Sequence, residues 1–297
     1  MFNGLSAFPL TPMNESGVDE HAFIRLVENL EKAKVASIGA LGSTGSYAYL
    51  SRVERQHVAQ LAVDAAGKIP VMVSIGALRT RDVLLLAEDA QKAGVSALLL
   101  PAMSYQKLRG EDVFSLYETV THNISVPLCV YDNPGTTHFD FSDVLLGRIA
   151  HLSNVRSIKI PGVPNAPEEA KVRVDRLRAL IPAQVTIGIS GDAFAATGLN
   201  AGCEAWYSVL GGLFPITAKA ITDAALSGNA QEANRLSERL EPLWSLFREF
   251  GGSFRVIATA AELRGFTHRP SVPLPMKTLD GDGLRKIAAV IDELELA

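Results

Sequence analysis

The sequence predicts an α/β fold of the (β/α)8 TIM-barrel class with a C-terminal helical extension. Three observations lead there. Eight short apolar or β-branched runs recur along the chain, amphipathic stretches with helical spacing separate them, and the runs are close to continuously apolar. Strands separated by helices need crossover connections and therefore pair in parallel. Strands apolar on both faces fit a sheet covered on both sides, and eight such units match a closed barrel better than an open sheet. The 297 residues of the chain suit one barrel of roughly 250 residues with a short addition.

Taken in order, the strand candidates are residues 4–8, 35–41, 71–75, 97–100, 127–131, 155–160, 185–189 and 204–209. After the first stands Phe8-Pro9-Leu10-Thr11-Pro12, where a dinucleotide-binding fold carries its glycine pattern. Asp19 reads as a helix N-cap, with Phe23, Leu26, Val27 and Leu30 following at helical spacing. Ser51 with Glu54 forms a capping-box pattern. Thr80, Ser142 and Asp192 are read as caps of later helices. Beyond residue 215 the helical stretches run over 229–250, over 253–263 and from Asp282. A barrel needs only one closing helix, so residues 1–225 are assigned to a catalytic barrel and residues 226–297 to a helical extension.

Composition narrows the function classes. Apolar residues make up 47% and charged residues 20%, the balance of a chain with a large core. The net charge is −4, with no basic stripe, which argues against nucleic acid as a partner. No apolar run approaches the roughly 18 residues that span a bilayer, and the opening Met1-Phe2-Asn3-Gly4 lacks the pattern of a secretory signal. Cys129 and Cys203 stand alone and read as core thiols of a cytoplasmic protein.

In a barrel of this class the chemistry lies at the C-terminal strand ends. Lys159 falls there, near the end of the sixth strand, whereas every other lysine falls in a helix, loop or tail. A lysine facing the barrel interior is costly unless neutral or paired, and a desolvated neutral amine is a nucleophile toward carbonyls. A lysine facing outward would instead snorkel between helices; position alone does not choose. Gly42-Ser43-Thr44-Gly45-Ser46 follows the second strand. Its successive N–H groups and hydroxyls suit a carboxylate, though the same residues also make an ordinary loop. Tyr131 ends the fifth strand, one strand from Lys159, and is either a proton relay or a core tyrosine with a wet hydroxyl. Ser190-Gly191-Asp192 follows the seventh strand; its small residues leave room for a ligand, and Asp192 serves equally well as a helix cap.

In combination, Ala7-Phe8-Pro9-Leu10-Thr11-Pro12, the Gly-Ser-Thr-Gly loop, the Tyr-x-Asn-Pro stretch, Ile158-Lys159 and Ser190-Gly191-Asp192 resemble the dihydrodipicolinate synthase and N-acetylneuraminate lyase family over nearly the whole chain. The resemblance implies a Schiff-base-forming lyase, an aldolase or dehydratase acting on pyruvate or a 2-keto(-3-deoxy) acid. Lys159 would form the imine, Tyr131 relay protons, and Ser43 and Thr44 hold the substrate carboxylate. Thr44 would extend the relay toward a tyrosine from a neighbouring subunit. Thr136 and Gly191 would line the substrate pocket. No metal or organic cofactor is implied, and the assembly implied is a homotetramer built as a dimer of dimers.

The pattern breaks in three places. Thr136 stands where the lysine-biosynthesis enzymes carry the arginine that binds the carboxylate of their aldehyde substrate, so a bidentate clamp is lost. Ser46 replaces a common glutamate. Tyr105 stands two positions later than the usual neighbour-donated tyrosine, so either it fills that role after a loop shift or the relay ends in water. His138 reads as a polar residue of the rim. Alternatives are a true 4-hydroxy-tetrahydrodipicolinate synthase, a non-catalytic ligand-binding member of the family, and a metal-dependent aldolase. The six histidines are too scattered for the last.

Overall fold

A computed structural model describes residues 1–297. All eight expected strands are present and close into one barrel. They are β1 (Gly4–Ala7), β2 (Ser37–Ala40), β3 (Val71–Ser74), β4 (Ala97–Pro101), β5 (Leu128–Tyr131), β6 (Val155–Ile160), β7 (Thr186–Ile189) and β8 (Ala205–Ser208). Every neighbouring pair is parallel, and β1 pairs with both β2 and β8, so the barrel has no free edge. Most strands are shorter than their apolar runs. The run 35–41 stops at Ala40 because Leu41 has a left-handed φ of 55°, which turns the chain out of the ladder. A two-stranded antiparallel hairpin, Met13–Asn14 with Gly17–Val18, follows β1. Strands that short leave no periodicity in a sequence.

The pleat sorts side chains into two cores. Ile38, Val73, Leu98, Val130, Ile158 and Trp206 point outward into a cluster of 77 buried residues shared with the helices. Phe8, Met72, Ala97, Leu99, Cys129, Tyr131, Ala205 and Tyr207 form a separate inner cluster of 8. Alternation along β6 gives Ser157 and Lys159 the same face, and the Ser157 hydroxyl meets the inner Tyr207 hydroxyl at 2.5 Å. That contact settles the direction the sequence left open: Lys159 points inward.

The barrel helices are Glu20–Lys32, Arg52–Ala65, Thr80–Lys92, Gly110–His122, Asp143–Ala150, Pro167–Arg178, Ala195–Asn200 and Pro215–Leu226. Asp19 caps the first by accepting from the Ala22 N–H at 2.9 Å. Ser51 and Glu54 form the expected capping box, and Ser142 accepts from the Leu145 N–H. Thr80 is not a cap: it is the first helical residue behind Arg79, with no side-chain cap bond. The extension consists of Ala230–Arg239, Glu241–Glu249, Ser253–Leu263 and Gly281–Leu294. The stretch 229–250, expected as one helix, is two helices broken at Leu240, because Pro242 lies in the first turn of the second. Proline has no N–H to continue a helix and fits that first turn. Cys129 and Cys203 are buried and unpaired with each other, and no helix is long and apolar enough to cross a membrane.

The inner core is tight. A Cβ on Gly188 of β7 would lie 2.2 Å from Cε2 of Tyr207, a ring whose hydroxyl is tied to Ser157. Gly188→Ala is expected to lower stability by about 1–3 kcal/mol, read as a fall of several degrees in Tm. A variant that melts with the parent would show that this layer is not close-packed.

Candidate active site

Lys159 is 6% exposed. Its Nζ faces three aromatic rings, with centroids 4.8 Å away for Tyr131, 5.4 Å for Phe8 and 5.6 Å for Tyr207. Ring faces offset part of the loss of water around a cation, but they are no substitute for a carboxylate. Burial therefore dominates and lowers the amine from 10.5 to about 8, against the pull of Cys129, Asp192 and Asp132. The Cys129 thiol is itself pushed up to about 11 by burial, so at neutral pH it is uncharged and its pull is small.

Tyr131 ends β5 directly beside Lys159 in the strand register. Its hydroxyl accepts a hydrogen bond from Asn133 Nδ2 at 2.8 Å and lies 3.2 Å from Ser43 Oγ. Since Asn133 can only donate through that nitrogen, the phenol proton is free to point at Ser43 or into the cavity. Burial raises the Tyr131 ionisation above its usual value, partly offset by the bonds to Ser43 and Asn133, so it stays a proton-bearing phenol at neutral pH. The hydroxyl joined to it is that of Ser43; Thr44, buried at 6% exposure, lines the same cavity.

The loop bearing both hydroxyls starts and ends with left-handed residues, Leu41 and Ser46, at φ 55° and 53°. Gly42 is needed for a close approach: a Cβ there would meet the Phe8 ring at 2.7 Å. Phe8 in turn packs edge-on against Tyr207, with centroids 6.0 Å apart. The glycine thus lets the loop settle on the ring that also faces the Lys159 amine.

Asp192 does not cap a helix with its side chain. Its buried carboxylate accepts from Trp206 Nε1 at 3.0 Å, Ser208 Oγ at 3.0 Å, and the N–H groups of Val209 at 3.2 Å and Leu210 at 2.8 Å. Burial pushes its carboxyl up while these donors pull it back. Four donors converging on two oxygens favour the ionised form. Asp192 therefore ties the loop after β7 to the end of β8. The cap expected from sequence is replaced by this tertiary role, because both carboxylate oxygens are engaged by donors at and after the end of β8.

These groups open onto one cavity of about 610 Å³ at the C-terminal ends of the strands. Ser43, Thr44, Tyr131, Thr136, Lys159 and Gly191 all line it. Tyr105 does not line the cavity of its own chain and is 90% exposed. His138 is exposed and also lies outside the lining. The cavity holds residues the sequence reading did not single out: Phe8 and Tyr207 around the amine, and Trp244, Phe247, Arg248 and Phe254 from the extension. Phe8 and Tyr207 share the inward parity of Lys159, a signal present in the strands. Nothing local marks the extension residues, since only tertiary packing brings them to the barrel mouth.

The profile of the dihydrodipicolinate synthetase family matches residues 1–294. A 4-hydroxy-tetrahydrodipicolinate synthase of Shewanella piezotolerans is 31% identical over 285 residues, covering 95% of this chain and 94% of that protein. A protein of the same name from Archaeoglobus fulgidus is 28% identical over 302 residues, covering 100% of this chain and 99% of that one. The crystal structure of a dihydrodipicolinate synthase from Agrobacterium tumefaciens superposes with a TM-score of 0.94 at 42% identity, over 99% of this chain and 98% of the other.

The buried amine carries a stability consequence. Folding lowers its ionisation constant from 10.5 to about 8, so below pH 8 the fold holds a charge it disfavours. The penalty fades as pH rises from about 8 toward 10.5. Lys159→Met removes it, and is expected to stabilise the protein by up to about 3 kcal/mol at pH 7, with the gain shrinking above pH 8. Denaturant unfolding at pH 7 and pH 10 checks this; equal gains at both would contradict it.

Proposed function

The chain belongs to the dihydrodipicolinate synthetase family and is a lyase of the lysine Schiff-base class, and we propose that Lys159 is its imine-forming residue, acting on pyruvate or a 2-keto(-3-deoxy) acid. The observation that carries this is the Lys159 amine, buried among rings and held near 8, opening onto a cavity shared with the Tyr131 phenol and the Ser43–Thr44 loop.

At pH 7 roughly a tenth of such an amine is uncharged, against less than about a thousandth of an ordinary lysine. Its lone pair adds to the keto carbon while Tyr131 gives a proton to the carbonyl oxygen, forming a carbinolamine. The added nitrogen returns one proton to Tyr131, which passes it to that hydroxyl; water leaves, the nitrogen keeps its remaining proton as a protonated imine, and Tyr131 regains its proton from solvent. The substrate carboxylate rests against the Ser43 and Thr44 hydroxyls and the loop N–H groups. The imine nitrogen then draws in an electron pair from the neighbouring carbon. For carbon–carbon cleavage that pair comes from the Cα–Cβ bond as the β-hydroxyl gives up its proton and an aldehyde departs; for dehydration it comes from loss of the α-proton, after which the enamine expels the β-hydroxyl as water.

Thr136 supports a substrate other than that of the lysine-pathway enzyme, because a rim threonine cannot form a two-point charge-assisted clamp on a carboxylate. The names of the relatives favour the second reading, a true 4-hydroxy-tetrahydrodipicolinate synthase. A metal-dependent aldolase is disfavoured by the donor set: the lining holds one carboxylate, Asp192, already committed to four donors, and no histidine. We further propose a homotetramer and a cytoplasmic location; the exposed Tyr105 ring supports a covered surface in the assembly.

Pyruvate with borohydride is expected to add a stable reduced adduct at Lys159, with the trapping rate rising about tenfold per pH unit below 8 and levelling above it. Digestion and mass spectrometry locate the adduct; saturating pyruvate with Lys159 unmodified would overturn the proposal. Pyruvate release from a panel of 2-keto-3-deoxy acids, set beside condensation with an aldehyde bearing a carboxylate, separates the two readings. Condensation as the faster reaction would favour the second.

A further inference from the structure

We propose that Arg248, carried by the C-terminal extension, binds a second anionic group at the distal end of the substrate, so that the preferred substrates are 2-keto acids with a terminal carboxylate. This deepens the function proposed above and rests on Lys159 forming the imine.

The cavity that contains the Lys159 amine is continuous to Arg248, and its volume of about 610 Å³ lies in the range of roughly 300–1,000 Å³ that encloses drug-sized ligands. A three-carbon keto acid leaves most of that space empty. Of the lining side chains, Lys159 and Arg248 are the two cations and Asp192 the one carboxylate. Lys159 is taken up by the imine, and Asp192 by its four donors. Thr136 at the rim carries no charge. A second negative group on the substrate therefore has one cationic side chain of this chain to meet.

The apolar part of the lining fits a carbon chain. Trp244 and Phe247, packed with centroids 5.5 Å apart, contribute apolar wall together with Phe254 and Met276. Arg248 is available for exchange. Its NH2 group bonds Glu241 and, at 2.8 Å, Ser245 Oγ, all on one helix, with side chains 60% and 57% exposed for Arg248 and Glu241. An exposed pair of this kind is weak, and a planar guanidinium can turn its second edge to a carboxylate. The helix Ser253–Leu263 begins in the same wall without a side-chain cap, so its first N–H groups add positive potential beside the guanidinium. The charge lost at Thr136 is thus supplied from a different element, a helix of the C-terminal extension.

The test uses the full-length enzyme and competes pyruvate trapping by borohydride with 2-oxoglutarate, 2-oxoadipate and 2-oxopimelate. In the parent protein at least one of these acids is expected to compete more strongly than its monocarboxylate analogue of equal length. Arg248→Gln should weaken that competition about tenfold and Arg248→Lys should weaken it less, each measured against the same variant's own rate of pyruvate trapping, with circular dichroism reporting that the variants are folded. Pyruvate trapping intact with dicarboxylate competition unchanged in Arg248→Gln would overturn the role of Arg248. No pyruvate adduct in the parent protein would instead overturn the function on which it rests.

Discussion

An amine held away from water among aromatic rings, with no carboxylate paired to it, is the constraint from which the rest of the site follows. A lysine so placed loses much of its hold on a proton. The fold supplies the isolation through the inner face of β6, the rings of Phe8, Tyr131 and Tyr207, and the absence of any ion pair to Lys159 among the close partners. A nearby acid would have stabilised the charged form and removed the nucleophile. The one carboxylate in the lining, Asp192, pulls the other way less than burial does, its oxygens being engaged by four donors that hold it at the end of β8.

The same economy of space explains the small residues. Gly42 and Gly188 are not there for turns alone; each lets a ring come within the distance a Cβ would occupy. Phe8 and Tyr207 can then meet edge to edge, and the hydroxyl loop can sit above them. Backbone shape, ring packing and the electrostatics of one amine are in this way a single arrangement. Destabilisation concentrated at that amine is the usual relation between an active site and its scaffold.

Much of this was legible in the sequence, for reasons of periodicity. Eight apolar runs at crossover spacing define the barrel, and Lys159 stands out as the one lysine in a strand. Its direction was not legible from position alone, because a two-residue period gives parity but not which parity faces inward; the Ser157–Tyr207 contact decides it. Once that parity is fixed, Tyr207 follows from the strand pattern of β8. Thr80 and Asp192 show the limits of cap reading. Polar residues before a helical stretch can be its first residue, or can bond a distant strand end, and only the tertiary surroundings distinguish these. The helix break at Leu240 had its signal in Pro242, whereas Arg248 had none, since a charged residue in an amphipathic helix reads as a solvated face. The clamp missing at Thr136 was visible as a substitution, but the cationic side chain lining the same cavity required the folded extension.

The account is tested most directly by the ionisation constant of the Lys159 amine itself. NMR titration of the protein labelled with carbon-13 at the lysine ε carbons, with the signal assigned by its loss in Lys159→Met, measures it without any substrate. A midpoint near 8 is the predicted result. A midpoint at the ordinary lysine value of 10.5 would contradict the account, because the amine would then be neither desolvated nor prepared to attack a carbonyl at neutral pH.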